Sequence, residues 1–290
     1  MRMPLMVIGT NGVLALKVAR ITGFQICYSQ LSKHPDGEKF FRFACDVENK
    51  DIVIFNSMYP NPDEILLETI LIAETAKELG AKTVSCVFPY FAYARFGGLR
   101  GEAVPIKSVA KIIRNSEIDR IYTVDFHLKN NIFGVEFVDL SAMGLLANFC
   151  KENFCRNPTI VAPDEHAVSW AKAFANEIGI EDVKVLKKIR VDAENVVIQP
   201  IDTRISGDVI IVDDIISTGA TVCQAARIVK RAGCDKVFAA CTHAILASDA
   251  LIRMLESGVE EIVSTDTIPS PISHVSVAGL IAEKLMEDFT

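Results

Sequence analysis

Residues 209–221 read VIIVDDIISTGAT: an apolar run, two adjacent carboxylates, then small hydroxylated residues with a glycine among them. The apolar run suits a strand buried in a parallel sheet, and the turn residues precede a helical period across 221–231. In an open parallel sheet, ligands sit beyond the carboxyl ends of the strands, where a helix start offers free N–H groups and partial positive charge to an anion. The loop Ser217, Thr218, Gly219, Ala220, Thr221 falls at that place. Gly219 lets the backbone turn closely around a phosphate, and the three hydroxyls donate to its oxygens. Asp213 and Asp214 would repel a phosphate and must face a different part of the ligand. Carboxylates only accept hydrogen bonds, so they suit vicinal sugar hydroxyls, directly or through a divalent cation. Amides for phosphate and acids for hydroxyls describe a ribose 5-phosphate. The loop lacks GxxxxGK[ST], which disfavours a nucleotide-hydrolysing P-loop, and the bland alternative is a strand-to-helix turn capped by Asp and Ser.

Working outward, strand-like runs alternate with helical periods: PLMVIG, DIVIFNS, KTVSCVF and RIYTVDF, then TIVAP, VKVLKK, DVIIVDD, KVFAACTH and EIVSTDT. Between them the periodicity predicts helices from about Val13, over 64–79, from about Ile106, and over 167–178, 221–231 and 249–256. The reading is α/β, with two similar domains, each a mostly parallel sheet flanked by helices. The expected domains are 1–142 and 143–274, with a C-terminal helix from about His274 to Met286 that either returns to the first domain or serves a dimer contact. DIVIFNS and its sequel lie alongside DVIIVDD and its sequel, which places Asn56 and Ser57 where Asp213 and Asp214 stand. Internal duplication and shared α/β grammar both account for that likeness.

Composition narrows the functions. The 290 residues are 50% hydrophobic and 23% charged, with mean hydropathy +0.29, so a sizeable core is expected and disorder is not. A net charge of −7 argues against nucleic-acid or anionic-membrane partners, which call for a positive surface. No apolar run approaches the roughly 20 residues that span a bilayer. The eight cysteines are scattered, mostly in apolar runs, and read as reduced, and the first residues read as a strand rather than a signal peptide. A cytoplasmic protein is expected.

The loop is similar to the phosphoribosyl-binding loop of the type I phosphoribosyltransferase fold, and the chain resembles the ribose-phosphate pyrophosphokinases. HPDGEKFFRF, PYFAYAR, GEAVPIKSVAKII, YTVDFH, VAPDEHAVSWAKAFA, KKIR, the loop itself, CTHAIL and STDTIP occur in that family's order. The resemblance implies transfer of the β,γ-diphosphate of ATP to the anomeric hydroxyl of ribose 5-phosphate, with magnesium, in a homo-oligomer. It implies magnesium contacts at His127 and Asp164, with Asp125 near enough to order that site. It implies a Lys-x-Arg pair, Lys188 and Arg190, that closes over the transferring group. It implies an ATP site drawn from Arg95 and from His34, Asp36 and Glu38, the latter three supplied to a neighbouring subunit.

The ATP side departs from the family pattern. After PYFAYA the chain reads RFGGLRGEAV where Arg-Gln-Asp and further basic residues are usual; His34 replaces a phenylalanine, and Glu165 and His166 follow VAPD where small residues are usual. An active synthetase, a user of another donor or metal arrangement, a silent regulatory paralog, a nucleobase phosphoribosyltransferase and a plain interaction protein with a vestigial loop stand as alternatives. Activity is the favoured reading because the cradle and both implied pairs are present.

Overall fold

A computed structural model of the chain describes residues 3–95, 101–128, 131–186 and 204–289, and the backbone of 188–190 and 196–198. The chain divides into two units, Met1–Leu140 with Val277–Thr290, and Ser141–Ser276. The first unit runs β1 (Leu5–Ile8), α1 (Gly12–Thr22), β2 (Gln25–Ile26), β3 (Ser29–Lys33), β4 (Lys39–Phe43), β5 (Asp51–Phe55), α2 (Pro62–Glu78), β6 (Thr83–Phe88), α3 (Pro105–Arg114), β7 (Arg120–Val124) and β8 (Glu136–Leu140). The second runs α4 (Met143–Asn153), β9 (Thr159–Ala162), α5 (Val168–Glu177), β10 (Val183–Val185), β11 (Lys188–Arg190), β12 (Val196–Ile198), β13 (Val209–Ile216), α6 (Ala220–Arg231), β14 (Val237–Ala244), α7 (Ala250–Glu256), β15 (Glu261–Thr265) and β16 (Ser273–Val275). A last helix, α8 (Ala278–Phe289), follows.

The two sheets have one topology. Their orders are β2-β1-β5-β6-β7-β8 and β10-β9-β13-β14-β15-β16, with every pairing parallel. In each, a two-stranded antiparallel hairpin, β3–β4 or β11–β12, is inserted after the edge strand. Central strands are buried on both faces, which is why they read as unbroken apolar runs: Val209 to Val212 and all eight residues of β14 are buried. Pro62 and Pro105 open α2 and α3, where the missing N–H costs nothing and the fixed φ is already helical.

The helices after the last strands are exchanged in sequence. α4 follows β8 but packs in the second unit, with Met143, Leu146, Ala147 and Cys150 against Trp170, Ala171 and Phe174 of α5. α8 follows β16 but belongs to the first unit and packs on α1. Phe289 meets Phe24 edge to face at 5.8 Å, and the Tyr122 hydroxyl donates to Asp288 Oδ2 at 2.8 Å. Burying Phe24 in this way contributes about 2 kcal/mol.

Two expectations are corrected. The last helix does not start at His274: residues 273–275 pair with β15 as an edge strand with Val275 buried, and the helix opens at Ala278. Nor are all the cysteines free, for Cys27 and Cys45 form a disulfide. Ser29 pairs with Phe43 at the base of the β3–β4 hairpin, and continuing that register two residues outward sets Cys27 opposite Cys45, Cα to Cα 5.7 Å. A separation of 18 residues hid the pair from a search for short motifs. The other six cysteines are free, five of them buried. Among the described residues no helix is long and apolar enough to cross a membrane.

Candidate active site

The site begins where β9 stops. β13 pairs with β9 as far as Ile211↔Val161 but continues beside β14 to Ile216↔Ala244, so its acids stand at a rim whose neighbour has ended. Successive strand residues point to opposite faces. Asp213 is accordingly half-buried and Asp214 is 2% exposed, and the two do not share one open face. The Asp214 N–H donates to Asp213 Oδ1 at 3.0 Å. Burial pushes the Asp213 carboxyl well above the usual carboxylate range, and the charges of Asp214 and Asp164 push it the same way.

Asp164 lies two residues past β9. Its Oδ1 accepts the N–H groups of His166 (3.0 Å) and Ala167 (3.2 Å), which turns the chain into α5. Glu165 and His166 are exposed beside it. The carboxyl edge of the second sheet thus gathers three acids, Asp164, Asp213 and Asp214.

The anion loop follows directly. Gly219 has φ +73°, and a Cβ there would lie 3.1 Å from Met254 Cγ and 3.4 Å from the Ala250 carbonyl, so α7 closes the space a side chain would need. α6 starts at Ala220 with no side-chain cap, and its first bond runs from Cys223 N–H to Gly219 O at 2.9 Å. An uncapped helix start leaves donors for an external anion. Ser217 and Thr221 are half-buried, Thr218 and Ala220 exposed.

In the first unit His127 is half-buried just past β7. The turn before it is fixed by the edge strand β8. Asp125, buried at φ +44°, donates its N–H to Leu140 O at 2.7 Å, and Phe126 N–H donates to Asp139 Oδ1 at 2.9 Å. No motif announces Asp139, because its hydrogen bond to Phe126 spans 13 residues.

His34, Asp36 and Glu38 share the exposed tip of the β3–β4 hairpin. His34 N–H donates to Glu38 O (2.8 Å) and Glu38 N–H to Asp36 Oδ1 (3.1 Å), while the imidazole meets Phe40 edge to face at 5.9 Å. The hairpin is clamped to α2. Lys33 and Lys39 reach Glu64 at 2.8 and 2.9 Å, and Lys39 also pairs with Glu68, both nearly buried. Arg95 is exposed in a bend after PYFAYA, and the altered segment 96–100 lies outside the described residues. Lys188 and Arg190 stand on the backbone of β11, paired with Ile198 and Val196; their side chains lie outside the described residues. Among the described residues, no group of three or more His, Cys, Asp or Glu side chains forms a ready metal cage.

Known proteins match this arrangement over the whole chain. Residues 3–116 match the family described as the N-terminal domain of ribose phosphate pyrophosphokinase, and residues 179–283 the phosphoribosyl synthetase-associated domain. The chain is 60% identical to ribose-phosphate pyrophosphokinase 1 of Archaeoglobus fulgidus, across 98% of this chain and 100% of that protein. It is 37% identical to the ribose-phosphate pyrophosphokinase of Methanothermobacter thermautotrophicus, across 98% and 100%. Its fold is similar to the crystal structure of phosphoribosylpyrophosphate synthetase from Mycobacterium smegmatis, with TM-score 0.87, 24% identity and 99% of each chain covered. With two parallel α/β units of the type I phosphoribosyltransferase fold and full-length relatives at this identity, the chain belongs to the ribose-phosphate pyrophosphokinase family.

Proposed function

We propose that this chain transfers the β,γ-diphosphate of ATP to the anomeric hydroxyl of ribose 5-phosphate, forming 5-phosphoribosyl 1-diphosphate and AMP. One observation carries the reading: an uncapped helix start, opened by a left-handed Gly219, lies immediately beyond a strand with two acids near its carboxyl end. The backbone and hydroxyls of Ser217, Thr218, Gly219, Ala220 and Thr221 take the 5-phosphate. Asp213 accepts from the ribose hydroxyls, and Asp214 braces it from the interior side through its N–H. Holding the sugar by both ends brings its anomeric oxygen to one place, so attack at phosphorus becomes a positioned step.

Magnesium suits the donor chemistry at the rim. It keeps most of its waters, takes one or two carboxylates with substrate phosphates, and needs no all-protein cage. Asp164 would hold it at this rim, His127 being a further contact that the family resemblance implies, and a cation there would offset the charges of Asp214 and Asp164 that add to burial in raising Asp213. When bound, it neutralises charge on the transferring diphosphate. Lys188 and Arg190 supply further positive charge to that group, where it counts most in the transition state. Arg95 and the hairpin residues His34, Asp36 and Glu38 bind ATP, the hairpin serving a neighbouring subunit of a homo-oligomer. Its exposed tip, stapled at the base and clamped to α2, is suited to that reach. The protein works in the cytoplasm, beside the nucleotide pool.

The test uses calorimetry and turnover together. Ribose 5-phosphate should bind in magnesium buffer, and Lys188→Ala should lower kcat about 100-fold with the ribose 5-phosphate Kd unchanged. Absence of binding in every magnesium buffer, or an equal loss in Kd and kcat, contradicts these assignments.

A further inference from the structure

Three consecutive carbonyls, from the last residue of β13 into the anion loop, are held from one side. Ile216 O accepts the N–H groups of Ile245 (2.9 Å) and Leu246 (3.2 Å), and Ser217 O accepts that of Ala247 (2.9 Å). Thr218 O accepts Arg253 Nη2 at 2.8 Å. A trans peptide is planar, so its N–H points away from the preceding C=O. Pinning these three carbonyls on one side aims the N–H groups of Ser217, Thr218 and Gly219 to the other. Those of Thr218 and Gly219 donate no hydrogen bond within the loop or to its surroundings among the described residues.

The pinning segment is itself under strain. Leu246 has φ +50° and Ser248 φ +55°, left-handed values that side-chain-bearing residues adopt only at a cost. Strain of that kind persists where surrounding contacts over-determine it. Arg253 is the only side chain among the holders. It is half-buried on α7, with its Nε buried and without a partner, so among the described residues its guanidinium hydrogen bond is the grip on Thr218. Met254, its neighbour, fills the space over Gly219.

We propose that Arg253 is a positioning residue for ribose 5-phosphate: from α7 it holds the Thr218 carbonyl behind the loop, which turns the Gly219 N–H toward the 5-phosphate. The assignment rests on the phosphate reading of the loop given above. It makes the loop a cradle shaped from behind by a cation that the phosphate itself does not touch. Because the bond is to a neutral carbonyl, its effect does not depend on screening by salt, whereas a direct charge on the phosphate would weaken as salt rises.

The experiment takes the full-length protein with Arg253→Met, Leu246→Gly and Gly219→Ala. Arg253→Met should raise the Kd and KM for ribose 5-phosphate about ten-fold, the loss of one hydrogen bond from a charged donor. The ratio to the parent should be the same in low and high salt, with the KM for ATP and the melting temperature close to the parent. Leu246→Gly relieves the left-handed strain but loosens the grip on Ile216; it should weaken ribose 5-phosphate in the same selective way and carries the test if Arg253→Met does not fold. A loss that disappears in high salt, or one shared equally by ATP, overturns the proposal. If Gly219→Ala abolishes binding while the other two bind like the parent, this inference alone fails; if Gly219→Ala binds normally, the phosphate reading fails with it.

Discussion

Asn56 and Asp213 occupy the same place in two copies of one topology, one plugged and the other open. Asn56 is fully buried: its Oδ1 accepts the Thr10 N–H (2.9 Å) and hydroxyl (2.7 Å), and its Nδ2 donates to the Thr69 hydroxyl at 2.9 Å. A Cβ on Gly9 would lie 2.7 Å from that Oδ1, so the turn after β1 sits directly on the amide. The counterparts in the second copy, Asp164 and Asp213, are two like charges. One rim is closed by an amide and hydroxyls bonded to one another, and the other brings carboxyls together.

Asn56→Asp should therefore destabilise the protein by about 2–4 kcal/mol without creating a second sugar site. The new carboxyl, buried where the amide N–H₂ had donated, would have a raised folded pKa. Its stability contribution is then present at low pH and lost as pH rises through that value, so the deficit in denaturant midpoint should deepen from acid toward neutral. A variant as stable as the parent at neutral pH would contradict the plugged reading.

Asp213 shows the same sign in the parent. Its raised pKa means that folding takes up a proton, so ionising it costs stability as pH climbs above the ordinary carboxylate range. Asp213→Asn removes that cost, and the variant should gain about 1 kcal/mol at neutral pH while losing ribose 5-phosphate affinity. The gain should shrink as pH falls toward 4. Urea midpoints across pH, with calorimetry at neutral pH, would show a simultaneous loss of both if the residue were merely structural.

The hairpin clamp gives a third expectation. Removing Lys39 leaves Glu68 buried at 8% exposure without its partner, a loss of about 3 kcal/mol. Lys39→Met should show that loss, and adding Glu68→Met should restore much of it. Equal stability of Lys39→Met and the parent would mean that the clamp is idle.

The disulfide is checked more directly. A non-reducing peptide map should join the fragments carrying Cys27 and Cys45, and Cys27→Ser with Cys45→Ser should cost up to about 3 kcal/mol for a closed loop of this size. Free thiols at both positions would contradict it.

The fold was legible because buried parallel strands carry their own signature: DIVIF and VIIVDD announce central strands, and Gly219 with its hydroxylated neighbours announces the turn. The hairpins were harder, since SQLSK and KFFRF are exposed or half-exposed and carry no clean alternation. The opposite facing of Asp213 and Asp214 follows from strand geometry, yet adjacency in sequence invites reading them as a pair. Arg253 left no trace at all, because its partner Thr218 is 35 residues away and the contact is to a backbone oxygen, which any residue supplies. Asp139 is silent for a like reason: it holds the backbone N–H of Phe126 from 13 residues away.

Product identity is the most direct measurement. Phosphorus NMR of the purified protein with ATP, ribose 5-phosphate and magnesium should show AMP and 5-phosphoribosyl 1-diphosphate accumulating in equal amounts, from cleavage between the α and β phosphorus atoms. Formation of ADP, which marks transfer of a single phosphoryl group, or unchanged ATP beside saturating ribose 5-phosphate, would contradict the account.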